Sequence, residues 1–140
     1  MDSNVMLTIR SRQCYLGQEP DTVELVTEAK SWQGEDGWYI SYEESDLTGL
    51  QGVTTTFRLP PGEVALQRTG RLQSEMVFRE GFRHESLYQM EYGALMMAVT
   101  ARNVRSDVSR QGGEISITYA IEIEQNSAGT VEYFVSVKPV

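Results

Sequence analysis

From Gly113 to Gln125 the chain reads GEISITYAIEIEQ, and the alternation in that run constrains the fold more than any other feature of the sequence. Ile115, Ile117, Tyr119, Ile121 and Ile123 share one phase, while Glu114, Ser116, Thr118, Ala120, Glu122 and Glu124 share the other. Successive side chains of a strand point to opposite faces, so the run predicts a strand dry on one side and wet on the other. One-sided burial of this kind belongs to antiparallel sheets.

Turn chemistry recurs at short intervals along the rest of the chain: Gly34 to Gly37, Gly49 to Gly52, Pro60-Pro61-Gly62, Thr69-Gly70, Glu80-Gly81, Gly93, Gly112-Gly113 and Ser127 to Gly129. Glycine supplies positive φ and proline a preset φ, which chain reversals require. Between the turns lie ten segments of strand length: 4–15, 22–32, 38–44, 53–59, 64–68, 72–79, 84–92, 94–105, 114–125 and 130–137. The best helical candidate, Arg83 to Met90, is cut short by neighbouring glycines. The expectation is an all-β chain, with residues 1–140 forming one domain and little helix. Consecutive strands joined by tight turns pair as an antiparallel meander. Closing that meander into a barrel of eight to ten strands removes its exposed edges, and a two-sheet sandwich is the alternative.

Composition narrows the function classes. The chain carries one cysteine, Cys14, and one histidine, His84, so neither an intrachain disulfide nor a thiolate or His-rich metal site can form. No metal and no cofactor is expected. Net charge is −8, which disfavours nucleic-acid binding, because phosphate neutralisation needs clustered Lys and Arg. The charge is unevenly spread. Residues 58–110 hold eight arginines against six acids, net +2, while the flanks hold four basic and fourteen acidic residues, net −10. The middle of the chain therefore has the charge for an anion site, although arginines on exposed strand faces would give the same count. The N-terminus MDSNVMLTIR lacks a basic stretch followed by an apolar one, and no run approaches the roughly 18 apolar residues of a membrane helix. A soluble, cytoplasmic protein with no membrane partner is expected.

Phase along the segments also indicates which polar groups turn inward. Tyr42 and Glu44 share the phase of Trp38 and Ile40; Arg68 shares that of Val64 and Leu66; His84 and Tyr88 fall in one set with Ser86, Met90 and Tyr92; Tyr119 sits midway along the isoleucine face. Tyr42, Glu44, Arg68, His84, Tyr88 and Tyr119 are thus the candidate ligand-binding residues, polar groups converging in an apolar barrel. A one-residue bulge would invert any of these phases. The competing reading puts Glu44 and Arg68 at the barrel rim in water or in a pair with each other, and the tyrosine hydroxyls at the surface. No catalytic motif is present, and His84 has no visible nucleophile or carboxylate partner in the sequence.

Three blocks resemble the YwiB-like family of small bacterial proteins: GWYISYEESDLTGLQGVTTTFRL (37–59), MVFREGFRHESLYQMEYGALMMAVTARNV (76–104) and GGEISITYAIEIE (112–124). The shared patterns are a Tyr-Ile-x-Tyr-x-Glu strand at Tyr39 to Glu44, the turn from Gly49 to Thr54, the Phe-x-x-Gly segment running from Phe78 to Gly93, and the strand from Gly113 to Tyr119. The resemblance implies a closed, calycin-like (lipocalin-like) antiparallel barrel. It transfers no activity, since the family is a domain of unknown function.

Three functions compete. The first is a module holding a small apolar or amphipathic, potentially anionic, ligand inside the barrel, with Arg68 and the inward tyrosines orienting it. The second is a structural or regulatory interaction protein, homodimerisation included, for which Tyr39 and Phe134 on outward phases are the cue. The third, ranked last, is a small-molecule enzyme at the barrel mouth with Glu44 or His84 as acid or base. A barrel interior filled wall to wall by side chains would eliminate the first.

Overall fold

The structure, a computed structural model, describes residues 2–140 and, except for Leu47, their side chains. Ten strands follow one another: β1 (Ser3–Tyr15), β2 (Asp21–Gly34), β3 (Gly37–Glu43), β4 (Val53–Leu59), β5 (Val64–Gly70), β6 (Ser74–Phe78), β7 (Arg83–Met90), β8 (Gly93–Ser106), β9 (Gly113–Ile123) and β10 (Asn126–Pro139). A single 3₁₀ turn, Asp46–Thr48, interrupts the β3–β4 connection. Arg83–Met90 is strand; its alternating exposure shows that period two wins over the short helix the sequence also allowed.

All ladders are antiparallel, and the order around the sheet is β6-β5-β4-β3-β2-β1-β10-β9-β8-β7. Every neighbour is consecutive in sequence except β1 and β10, which pair over eleven positions from Val5↔Pro139 to Tyr15↔Gly129. That long ladder joins the two halves of the meander and curls it into a nearly closed barrel. Between the terminal strands β6 and β7 no ladder is formed among the described residues; a Gln73↔Gln89 bridge just before β6 joins them with two backbone hydrogen bonds of 2.8 Å each. Further along the same seam His84 Nδ1 accepts the Val77 N–H at 3.4 Å, so an imidazole occupies the place of a backbone carbonyl.

The isoleucine face points inward. Ile115, Ile117, Tyr119 and Ile121 are buried, facing Leu7, Ile9, Ile40, Phe57, Phe78 and Val135. A bulge in β8 between Ala101 and Asn103 adds Arg102 to that strand. The bulge resets the phase, so that Val99 and Ala101 before it and Val104 after it pack on the core. Positive φ is needed where the strands turn most tightly: at Gly70 (φ +109°) an added Cβ would strike the carbonyl oxygen of Gly52. The β9–β10 hairpin achieves a similar reversal with two non-glycine residues, Glu124 (φ 50°) and Gln125 (φ 69°), a local cost in backbone energy.

Antiparallel order puts the ends of odd strands and the starts of even strands at one end of the barrel. At that end lie Ser11, Gln13 and Tyr15 of β1, Tyr42 of β3, Thr55 of β4, Arg68 of β5, Tyr88 of β7 and Tyr133 of β10. The opposite end is closed by aliphatic and aromatic side chains such as Leu59, Val64, Phe78 and Val137. The barrel is therefore dry at one end and polar at the other.

Candidate functional site

Glu44 is the centre of the polar end. It follows β3 directly, keeps the inward phase of Ile40 and Tyr42, and its side chain is 1% exposed. A carboxylate so buried must be hydrogen-bonded. Three hydroxyls serve it: Tyr42 Oη donates to Oε2 at 2.9 Å, Thr55 Oγ1 to Oε2 at 2.6 Å, and Thr48 Oγ1 to Oε1 at 2.9 Å. Arg68 completes the cluster, its Nε standing 3.9 Å from Glu44 Oε2 and 3.4 Å from Thr55 Oγ1. Neither charge lies at the rim in water: Arg68 is only 16% exposed.

Two adjoining hollows open around this cluster. The larger, about 440 Å³, is floored by Leu66, Met76, Phe78 and Ile117 and walled by Tyr88, Tyr119 and Tyr133. The smaller, about 190 Å³, reaches Tyr42 and Glu44. Both are bordered by Ser11, Gln13, Thr48, Leu50, Arg68 and Tyr133, so they are compartments of one interior. The interior is not filled wall to wall.

Of the six sequence candidates, Tyr42, Glu44 and Arg68 form the hydrogen-bonded cluster, while Tyr88 and Tyr119 line the larger hollow with Arg68. His84 stands apart at the β6–β7 seam, beside Phe82, and does not border either hollow. It shares the phase of Ser86 and Tyr88, the half-buried side of β7, but its Nδ1 is taken up by the Val77 N–H at the seam.

Sequence reasoning passed over Ser11, Gln13, Tyr15, Thr55 and Tyr133. Periodicity contains them all: Thr55 is in phase with Val53 and Phe57, Tyr133 with Val131 and Val135, and Ser11 with Leu7 and Ile9. Thr48 had no such signal, because it comes from a 3₁₀ turn.

Burial keeps the phenols protonated. Tyr42 is driven well above the usual tyrosine range by burial first, then by neighbouring Tyr133 and Glu44. Tyr119 is also raised, by burial and then by Tyr133, with Arg68 opposing. Tyr133 is raised by burial, again against Arg68. Tyr133 is half-buried by accessible surface and borders both hollows. Tyr42 spends its one proton on Glu44; a neutral phenol at Tyr119 or Tyr133 keeps a hydroxyl that can donate. One more polar atom is unserved: Ser74 Oγ, buried directly across the β5–β6 ladder from Arg68, has no hydrogen-bond partner among the described residues.

The arginine excess of the middle segment is sorted by the fold. Arg58, Arg71, Arg79 and Arg83 are spent in surface ion pairs, with Asp36 and Glu63, Glu91, Glu63, and Glu85 and Glu122 respectively. Arg68 alone of these turns into the barrel. Among the described residues no group of three or more His, Cys, Asp or Glu could hold a metal ion.

Comparison with known proteins agrees with this architecture. "Uncharacterized beta-barrel protein YwiB" of Bacillus subtilis (strain 168) is 29% identical over 85 residues, 61% of this chain and 58% of the relative's length. The crystal structure of the ywiB protein from Bacillus subtilis superposes with a TM-score of 0.88 at 21% identity, covering 99% of this chain and 93% of that one. The same fold thus recurs at low identity. The profile of the family described as a domain of unknown function, DUF1934, matches residues 7–134, and the chain belongs to that family.

Proposed function

We propose that the protein binds a small amphipathic molecule inside the polar end of its barrel. The observation that carries this reading is the 440 Å³ hollow, apolar at its floor and ringed by tyrosines and Arg68. Small-molecule sites run from ~300 to ~1,000 Å³, mostly apolar with a few convergent polar groups. A barrel that had only to fold would gain by filling such a space, since voids cost stability. Two features weigh against the enzyme reading. Glu44 already accepts from three hydroxyls, and His84 lies outside the hollow.

The interaction reading loses one of its cues: Tyr39 stacks on Trp32 at 5.4 Å and donates its hydroxyl to Asp36 at 2.9 Å. Phe134 is only half-exposed.

The test is saturable binding of a neutral fluorescent probe, N-phenyl-1-naphthylamine, by the wild type and by Met97→Trp, which places an indole in the hollow. Wild type should bind one equivalent and Met97→Trp should not, with unchanged circular dichroism. Equal binding by the two, or none by the wild type, would overturn the reading. Native mass spectrometry of protein purified from its own host would then give the mass of the natural occupant.

A further inference from the structure

We propose that the ligand is a monocarboxylic acid, its carboxylate held by the Nη1–Nη2 edge of Arg68 and its apolar body lying on Leu66, Met76, Phe78 and Ile117. This rests on the ligand-binding reading above and specifies it. Charge is the first argument. Among the described residues bordering the larger hollow, Arg68 is the single charged side chain. Glu44 reaches only the smaller one.

Geometry is the second. Both contacts that anchor Arg68 run through Nε, to Thr55 and Glu44. The terminal nitrogens, four N–H donors, have no protein acceptor among the described residues. Buried guanidinium donors seek acceptors, and their planar fork matches a carboxylate in two parallel hydrogen bonds. Tyr119 and Tyr133 border the same space.

Charge balance selects the head group. Glu44 offsets part of the Arg68 charge, so among anions a monoanion leaves less excess negative charge at the site than a phosphate monoester dianion. Size selects the body. At the ~30 Å³ each water-sized group occupies in a liquid, 440 Å³ accommodates on the order of fifteen non-hydrogen atoms. A medium-chain or aromatic acid fits.

Calorimetric titration with decanoate, decanol and decylamine tests this on wild type, Arg68→Lys and Arg68→Met. Decanoate should bind wild type about tenfold or more tighter than decanol, with decylamine weakest. Arg68→Met should lose that preference while keeping its affinity for decanol; Arg68→Lys, which keeps the charge without the fork, should fall between. Decanol binding as tightly as decanoate, or decylamine binding best, would overturn the proposal. Should Arg68→Met fail to fold, the ranking of the three probes on wild type decides alone. If none of the three binds yet N-phenyl-1-naphthylamine does, the carboxylic acid is wrong and the ligand-binding reading stands; if that probe also fails, both fall.

Discussion

Thr55 allows the buried cluster to be weighed against simple packing, because its two halves can be removed separately. The residue is fully buried, and its hydroxyl donates to Glu44 Oε2 at 2.6 Å, short enough to be charge-assisted. Thr55→Val keeps the shape and removes the hydroxyl, leaving a carboxylate oxygen short of a donor, at a cost of about 1.5–3 kcal/mol. Thr55→Ser keeps the hydroxyl and removes one buried methyl, which costs about 1 kcal/mol from lost transfer energy and the small void. The valine variant should therefore be the less stable of the two, by roughly 0.5–2 kcal/mol. For a domain near this size ~1 kcal/mol moves Tm by roughly 2–4 °C, so Thr55→Val should melt about 3–12 °C below wild type and Thr55→Ser about 2–4 °C below. Urea unfolding gives the same ranking through the midpoint, with unchanged m-values showing that the unfolded state is not the cause. A valine variant as stable as the serine one would show that Thr55 merely fills space, and the account of Glu44 as a carboxylate held by specific donors would be wrong.

Two further outcomes follow from the same geometry. The phenols of Tyr42, Tyr119 and Tyr133 have pKa values raised by burial; the folded protein keeps protons that the unfolded chain releases above about pH 10, so their contribution is full below that pH and is lost as pH rises toward the folded values. Alkaline titration should thus show Tyr133→Phe with the same tyrosinate absorbance as wild type until unfolding sets in, and a smaller signal before that point would contradict the burial. At the seam, His84→Phe removes the acceptor of the Val77 N–H; one hydrogen bond of about 1 kcal/mol predicts several-fold faster exchange of the Val77 amide, with the Gln73 and Gln89 amides unchanged, and equal exchange at Val77 would deny the imidazole its role.

Strand content, meander order and the inward isoleucine face were legible because a period of two survives along nearly every strand, and the turns are marked by residues whose φ the reversals require. Phase alone placed Tyr42, Glu44 and Arg68 on inward faces, and the structure brings all three together. What the sequence could not show was depth. Periodicity gives a face and not a position along the barrel axis, so the rim reading of Glu44 and Arg68 stood open until the Thr48 turn was seen to cover the carboxylate. His84 failed for a different reason: its phase was right, but whether a terminal strand closes against its neighbour depends on barrel curvature, which no local pattern records. The β8 bulge is hidden in the same way, since Ala101, Arg102 and Asn103 carry no turn signal.

The division of the barrel into a dry end and a polar end has an energetic logic. Burying a carboxylate and a guanidinium costs several kcal/mol per ion before their attraction and hydrogen bonds offset it, and replacing such a pair with well-packed apolar groups is often neutral or stabilising. At the dry end the chain does use apolar groups throughout: Leu59, Val64, Phe78 and Val137 close it without a buried charge. Ten strands and their ladders, joined through β1 and β10, would hold the fold with the same filling at both ends. A buried Glu44 with three donors and an Arg68 whose terminal nitrogens have no acceptor among the described residues are therefore poorly explained as stabilising devices. On the proposed reading they act together, with Glu44 and Thr55 holding the guanidinium through Nε and its terminal nitrogens left for the acceptor of a bound molecule.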